Sequence, residues 1–542
     1  MPLSAILLVF LQVGPADAPS AGLPPGPVWG RDTLPPEDAN AVFATADGCA
    51  NCHGADQNSR ALVDARGNDV SPHGTWAGTL MAHSFRDPYF RAQLEREVER
   101  APEREAEIVG LCSRCHAPMA FHTAQLSGEP ISSIAELDDL PMAEDGVSCT
   151  VCHQITARGL GEETTFSGLV DIRPGRVLFG PYDTLATQPM QSNTAYRAAQ
   201  SSHISSSALC GSCHVLETHG FLEQATYLEW RNSQYSDEGA DVAPDVAASC
   251  GDCHAGRVDA VPLVRPTQGH PFEVEIRPEV HSHGIVGGNA FMLDLMADRA
   301  EDLGLEDSVG ALRRAADATR VQLAHRTAEL TIENFSDHDR SVRFDVTVLN
   351  KAGHKFPSGY PSRRAWIEVE VSLGRQLLFH SGAPEPGFGG IIGVEDAFGA
   401  PHKNLISRTR HAQIYEMVGL DAAGNRTTIL SEMASVAKDN RLLPLGWRAD
   451  GPHADRTRPV GTEGDENFVA GSDTVTYSIR RPAIGRVTVR AGLWYQSISP
   501  AWADGLAESS GPAADRFFAW YYGDDPAPEL VASAIARDPR TD

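Results

Sequence analysis

The pattern Cys-x-x-Cys-His occurs five times in this chain of 542 residues: Cys49/Cys52/His53, Cys112/Cys115/His116, Cys149/Cys152/His153, Cys210/Cys213/His214 and Cys250/Cys253/His254. The five copies use all ten cysteines. Two thiols at i and i+3 can form thioethers with the two vinyl groups of one porphyrin, and the histidine that follows at once is placed to coordinate the iron. One copy alone would also suit half of a zinc site. Five copies with no cysteine left over predict five haem c groups. The ten cysteines are then attachment residues, and His53, His116, His153, His214 and His254 are the proximal iron ligands.

The sixth position on each iron is harder to assign. Twenty histidines less five leave fifteen, whereas methionine, the other usual axial ligand, numbers nine. Histidine is therefore expected at most sites. The spacing puts His83 on a helix after the first motif, His122 six residues beyond His116, and His203 seven before Cys210. His283 sits in the loop after the fifth motif, and His354 in a Gly353–Gly359 turn. These five are the first distal candidates, with His219 and His281 next. No catalytic residue is assigned.

The formal charge of -27 argues against nucleic acid or an anionic membrane as partner and favours a redox protein with a basic docking surface. The opening Met1 to Val13 is apolar and leads to Ala16-Asp17-Ala18, which resembles an export signal. Residues 1–22 are read as signal and leader, and the protein as periplasmic or extracellular. No later apolar run is long enough to span a bilayer.

The first cysteines of successive motifs are separated by 63, 37, 61 and 40 residues. Long and short intervals alternate, so motifs two and three read as one unit and four and five as a second. Residues 75–93 and 94–111 show helical spacing, 255–300 reads as a wrapping loop, and 301–324 as a connecting helix. Beyond it, 327–335, 341–349, 365–373, 376–380, 413–418, 427–430, 474–479 and 487–495 alternate with period two. The expectation is a multidomain chain. A mainly α and irregular multihaem cytochrome c domain (23–300) precedes an all-β sandwich-like domain (325–500), and an aromatic tail (501–542) packs back on the body.

The phrases Met81–Pro88, Asp145–Cys149 and Glu229–Ser233 resemble those around the haems of multihaem cytochromes c, nearest the tetrahaem carriers that serve hydroxylamine oxidation. The phrases GHKFPSGYPSRRAW from Gly353, DNRLLPLGW from Asp439 and LWYQSISPAW from Leu493 look like a β-domain found on many bacterial multihaem cytochromes. The resemblance implies electron transfer between redox partners through mostly bis-histidine haems. The alternative is an oxidoreductase acting on a small nitrogen or sulfur compound at one open-site haem. The chain has no Cys-x-x-Cys-Lys and no spare thiolate, which weighs against that alternative.

Overall fold

Where the second half of the sequence alternates apolar and polar residues, the computed structural model places strands. It describes residues 40–538 apart from 57–60, 184, 186, 240–242, 266–274, 339, 395–396 and 482–484. The leader read at 1–22 lies outside them. In Ser341–Asn350, Val342, Phe344, Val346 and Val348 point inward and are fully buried, with partly exposed residues between them. This strand pairs antiparallel with Ala328–His338 on one side and Ser472–Arg480 on the other, and Leu405–Ile406 completes a four-stranded sheet. A second, seven-stranded sheet is built around Arg364–Leu373, which pairs antiparallel with Val487–Gln496 over its whole length. Phe344, Val346 and Tyr477 of the first sheet share one core with Ile367, Val369 and Leu493 of the second. The two sheets thus pack face to face, as their inward-facing rows require.

Glu529–Arg537, absent from the sequence reading, extends the larger sheet by pairing with Val487–Gln496. Ala532, Ala534 and Ala536 blunt its apolar alternation. The aromatic helix Pro512–Gly523 buries Phe517 and Tyr521 in a second core with Tyr89, Leu312 and Trp502.

The first half is made of short helices and turns. The helical spacing over 75–93 is only partly realised. Helix Pro72–Trp76 ends early, a run of turns follows, and a helix restarts at Pro88. Proline disfavours a helical residue before it and suits the first helical position. Asp87 caps the new helix by accepting from the amides of Tyr89 and Phe90. His83 therefore lies in the turns, not on a helix. The wrapping loop at 255–300 also carries structure: a hairpin of Arg257–Pro262 and Ile276–His281, then helix Ala290–Asp298. That helix buries Ala290, Met292, Leu293, Leu295, Met296 and Ala297. Its polar face is only the narrow stripe of Asp294 and Asp298, too little for a periodicity to reveal.

Candidate functional site

Each of the five motifs forms a helical turn, on Ala46–His53, the end of Glu105–His116, Cys149–Cys152, Ser207–His214 and Cys250–His254. Residues i and i+3 of a helix share a face, so the two thiols of each motif stand together. None of the ten cysteines is in a disulfide. Local bonds hold these turns. Ser249 and Asp252 form a reciprocal capping box at the fifth motif, and the Cys250 amide donates to Ser207 Oγ on the helix of the fourth. Thr150 Oγ1 donates to Ala44 O, joining the third motif to the approach of the first.

The motifs also lie against one another. Cys49 is within hydrogen-bonding reach of Cys149, Cys115 of Cys213, and Cys210 of Cys250. The hydrogen bond with Cys149 and burial push the Cys49 thiol up. Motif one therefore neighbours three, and motif four neighbours two and five. The alternating intervals group two with three, but no thiol contact joins those two. Interval lengths record sequence repetition, and folding brings together motifs that are far apart in the chain.

Four motif histidines place Nδ1 against a main-chain carbonyl: His53 on Leu263 at 2.8 Å, His116 on Ser84 at 2.9 Å, His153 on Phe179 at 2.6 Å and His254 on Val286 at 2.6 Å. A carbonyl only accepts, so Nδ1 carries the proton and Nε2 keeps its lone pair. Burial lowers His116 and His214 to about 4, which keeps both rings neutral.

Two motif histidines face a distant histidine. The ring centroids of His153 and His283 are 6.2 Å apart with planes at 19°, and those of His254 and His354 are 6.2 Å apart at 13°. Two imidazoles bound from opposite sides of one metal, each by a bond of about 2 Å, have centroids roughly 6 Å apart. His354 Nδ1 meets Lys355 O at 2.7 Å, which again leaves Nε2 free, and His283 Nδ1 is buried without a partner. The donor set fits covalently held haem: paired free thiols, neutral imidazoles with a lone pair exposed, and facing rings at the separation a shared metal needs.

The other distal candidates are placed differently. His122 carries a buried Nε2 with no partner, and its ring lies 6.4 Å from Phe43 and 5.3 Å from Phe121. His83 is buried, its Nε2 meets Ala77 O at 2.9 Å, and burial lowers it to about 4. Both nitrogens of His203 are engaged, with Ser201 Oγ at 2.6 Å and Ile155 O at 2.8 Å. His219 and Gly220, with φ of 52° and 83°, form the two-residue turn of a hairpin, and His219 Nε2 meets Glu107 at 2.7 Å. Two left-handed residues suit such a turn, and the contact with Glu107 commits His219 to the helix Glu105–His116. His281 Nδ1 meets Ala255 O at 3.1 Å.

One group of residues escaped the sequence reading. Glu229, Lys355, Asp439 and Arg441 are buried charges that meet between the helix Thr226–Arg231 and the sheets. Lys355 Nζ is 2.6 Å from Asp439, Arg441 Nε 2.7 Å from Asp439, and Arg441 Nη2 3.1 Å from Glu229. Burial alone would raise Asp439, but Arg441 and Lys355 hold it well below the ordinary carboxylate range. The signal available was the pair of phrases beginning at Gly353 and Asp439, which carry three of the four residues.

No protein-family model matches this chain, and no curated protein matches it. A solved structure does: a penta-heme cytochrome c552 from Thermochromatium tepidum, with a TM-score of 0.53 and 16% identity, covering 92% of this chain and 100% of that one. The chain shares the fold of that cytochrome. No helix among the described residues is long and apolar enough to cross a membrane.

Proposed function

We propose that the chain is a pentahaem c-type cytochrome that passes electrons between redox partners. The observation that carries this reading is the pairing of His153 with His283 and His254 with His354 at 6.2 Å. Bound haem supplies a one-electron couple whose potential is tuned by axial ligands and their surroundings. The protein's residues do the rest. Each cysteine pair fixes a porphyrin edge, and the Nδ1–carbonyl bonds orient each motif imidazole and raise the basicity of Nε2. The thiol contacts of motif one with three, and of four with two and five, bring the motifs close enough for electrons to pass between them.

The acidic charge of -27 suits a redox protein with a basic face and brings the two together faster at low salt. Export to the periplasm or beyond fits the apolar N-terminus. Intact-mass measurement of the mature protein is expected to show five added haem masses, and fewer would overturn the assignment. Oxidised-state paramagnetic resonance separates the two functional readings. Five low-spin signals support a pure carrier, and a high-spin ferric component supports the alternative, an oxidoreductase for a small nitrogen or sulfur compound.

A further inference from the structure

Gly211 stands between the two thiols of the fourth motif. Tyr227 of helix Thr226–Arg231 lies so close over it that a Cβ there would stand 2.6 Å from the ring. From that helix a short run of contacts leads to one cation. Thr226 Oγ1 meets Ser358 Oγ at 3.0 Å, and Ser358 O accepts from Arg363 Nη1 at 2.6 Å. Gly359 lets the guanidinium lie across the turn: its φ is 85°, and a Cβ would come within 2.8 Å of Nη1. The same turn presents His354 to His254, with ring centroids 6.2 Å apart. Arg363 is thus fixed where the fourth and fifth motifs meet.

Its charge is left over there. The other cations of this region, Lys355, Arg441 and Arg231, each meet a carboxylate. Among the described residues Arg363 pairs with no carboxylate and bonds the Ser358 carbonyl instead. Its field falls on His214 and His354. At His354 the Glu229 carboxylate opposes it, whereas the charged neighbours of His214 are Arg363 and two histidines, with no acid among them. His214 differs in a second way. The other four motif histidines hold Nδ1 against a carbonyl, which makes each ring a stronger donor to a metal. No such bond reaches His214 among the described residues.

We propose that Arg363 raises the reduction potential of the haem held by the fourth motif above those of the other four. The proposal rests on the reading that the motifs carry haem. Its ground is charge. Oxidation leaves one more positive charge on a haem iron, and a fixed cation nearby disfavours that form. The missing carbonyl bond acts in the same direction, because a weaker imidazole donor stabilises ferric iron less. A unit charge about 10 Å away, at an effective dielectric constant of about 20, changes such an equilibrium by roughly tenfold. Motif four has thiol contacts with both two and five, so electrons entering from either side settle at a shared crossing point.

The test is a potentiometric titration of the fully loaded protein, followed by visible and paramagnetic resonance spectra. One midpoint is expected above the other four. Arg363→Gln should lower it by roughly tenfold in the reduction equilibrium, about 59 mV for one electron. Arg363→Lys keeps the charge and should restore it, whereas a merely structural role would make the two variants alike. Arg363→Met gives the same comparison if Arg363→Gln folds poorly. The proposal is overturned if the highest midpoint does not move, if all five fall equally, or if the lysine variant matches the glutamine one. It also falls if the haem that responds is the one whose low-spin signal His354→Ala abolishes, because the charge would then act on the fifth motif. An intact mass with fewer than five haems would instead bring down the haem reading beneath the proposal.

Discussion

His283 and His354 show what a single side chain decides in this molecule. The motif histidines were legible because chemistry fixes them next to two thiols. Their facing partners lie a hundred or more residues further on, and closeness in sequence to a motif says nothing about the direction of a ring. His203 and His219 illustrate this: both flank the fourth motif, yet one is bonded through both nitrogens and the other sits on a hairpin turn and is bonded to Glu107. Replacing His283 or His354 by alanine is expected to convert one low-spin ferric signal to high-spin in each case. His203→Ala should leave all signals in place, and a high-spin signal from it would refute the pairing drawn here. Asp473, fully buried in the smaller sheet, is a second single-residue case. Burial raises it to about 6 although Tyr415 donates to it at 2.7 Å. A carboxyl raised in the folded state contributes stability that is complete below its unfolded value near 4 and is lost as pH rises through about 6. Asp473→Asn keeps an acceptor for Tyr415 and removes the charge. Relative to the wild type it should gain up to about 3 kcal/mol between pH 4 and pH 8, read as melting temperature at each pH. Equal pH profiles would show that Asp473 does not titrate in this window.

Among elements, the strands were the most legible because half-buried strands write their burial into alternate residues. Helix Ala290–Asp298 and strand Glu529–Arg537 were not, the first because it is apolar nearly all round and the second because its inward residues are small. Helix Pro88–Arg100 was legible as a helix, but its partner was not. Its acids fasten two distant segments: Glu95 accepts from the amides of Ala513 at 2.7 Å and Ala514 at 3.1 Å in the C-terminal tail, and Glu97 from those of Leu430 and Ser431 in the strand-built half. A carboxylate at the first amides of helix Pro512–Gly523 satisfies donors that the helix cannot and meets the positive end of its dipole. No local pattern announces a cap supplied from more than 400 residues away. Glu95→Ala is expected to destabilise this junction by about 1–2 kcal/mol and to speed hydrogen exchange at Ala513 and Ala514. Haem spectra should stay unchanged, and unaltered exchange at those amides would show that the cap contributes nothing.

At the scale of the whole molecule, the question is how a strand-built half without a single cysteine comes to set His354 against His254 of the other half. The answer lies in the buried charges behind His354. Lys355, the next residue, spans from the Glu229 carboxylate, which accepts from its amide at 3.2 Å, to Asp439, which its Nζ meets at 2.6 Å. Arg441 bridges the same two acids, and Ser358 donates to Glu229 at 2.6 Å. Each charge is compensated by another, and the set ties helix Thr226–Arg231 to the turn that presents His354. Apolar contacts would hold the two halves together equally well. Charges that must meet at fixed angles also set the register in which they meet. Arg441→Met leaves Glu229 and Asp439 buried with Lys355 as their only cation, and loss of one partner of a buried pair costs about 3–5 kcal/mol. Lys355→Met leaves Asp439 still held by Arg441 and should cost less. If the network positions His354, Arg441→Met will also broaden or shift the low-spin signal that His354→Ala abolishes, with the other four unchanged. A stability loss with that signal intact would restrict the network to holding the halves together, and His354 would then owe its place to the Gly353–Gly359 turn alone.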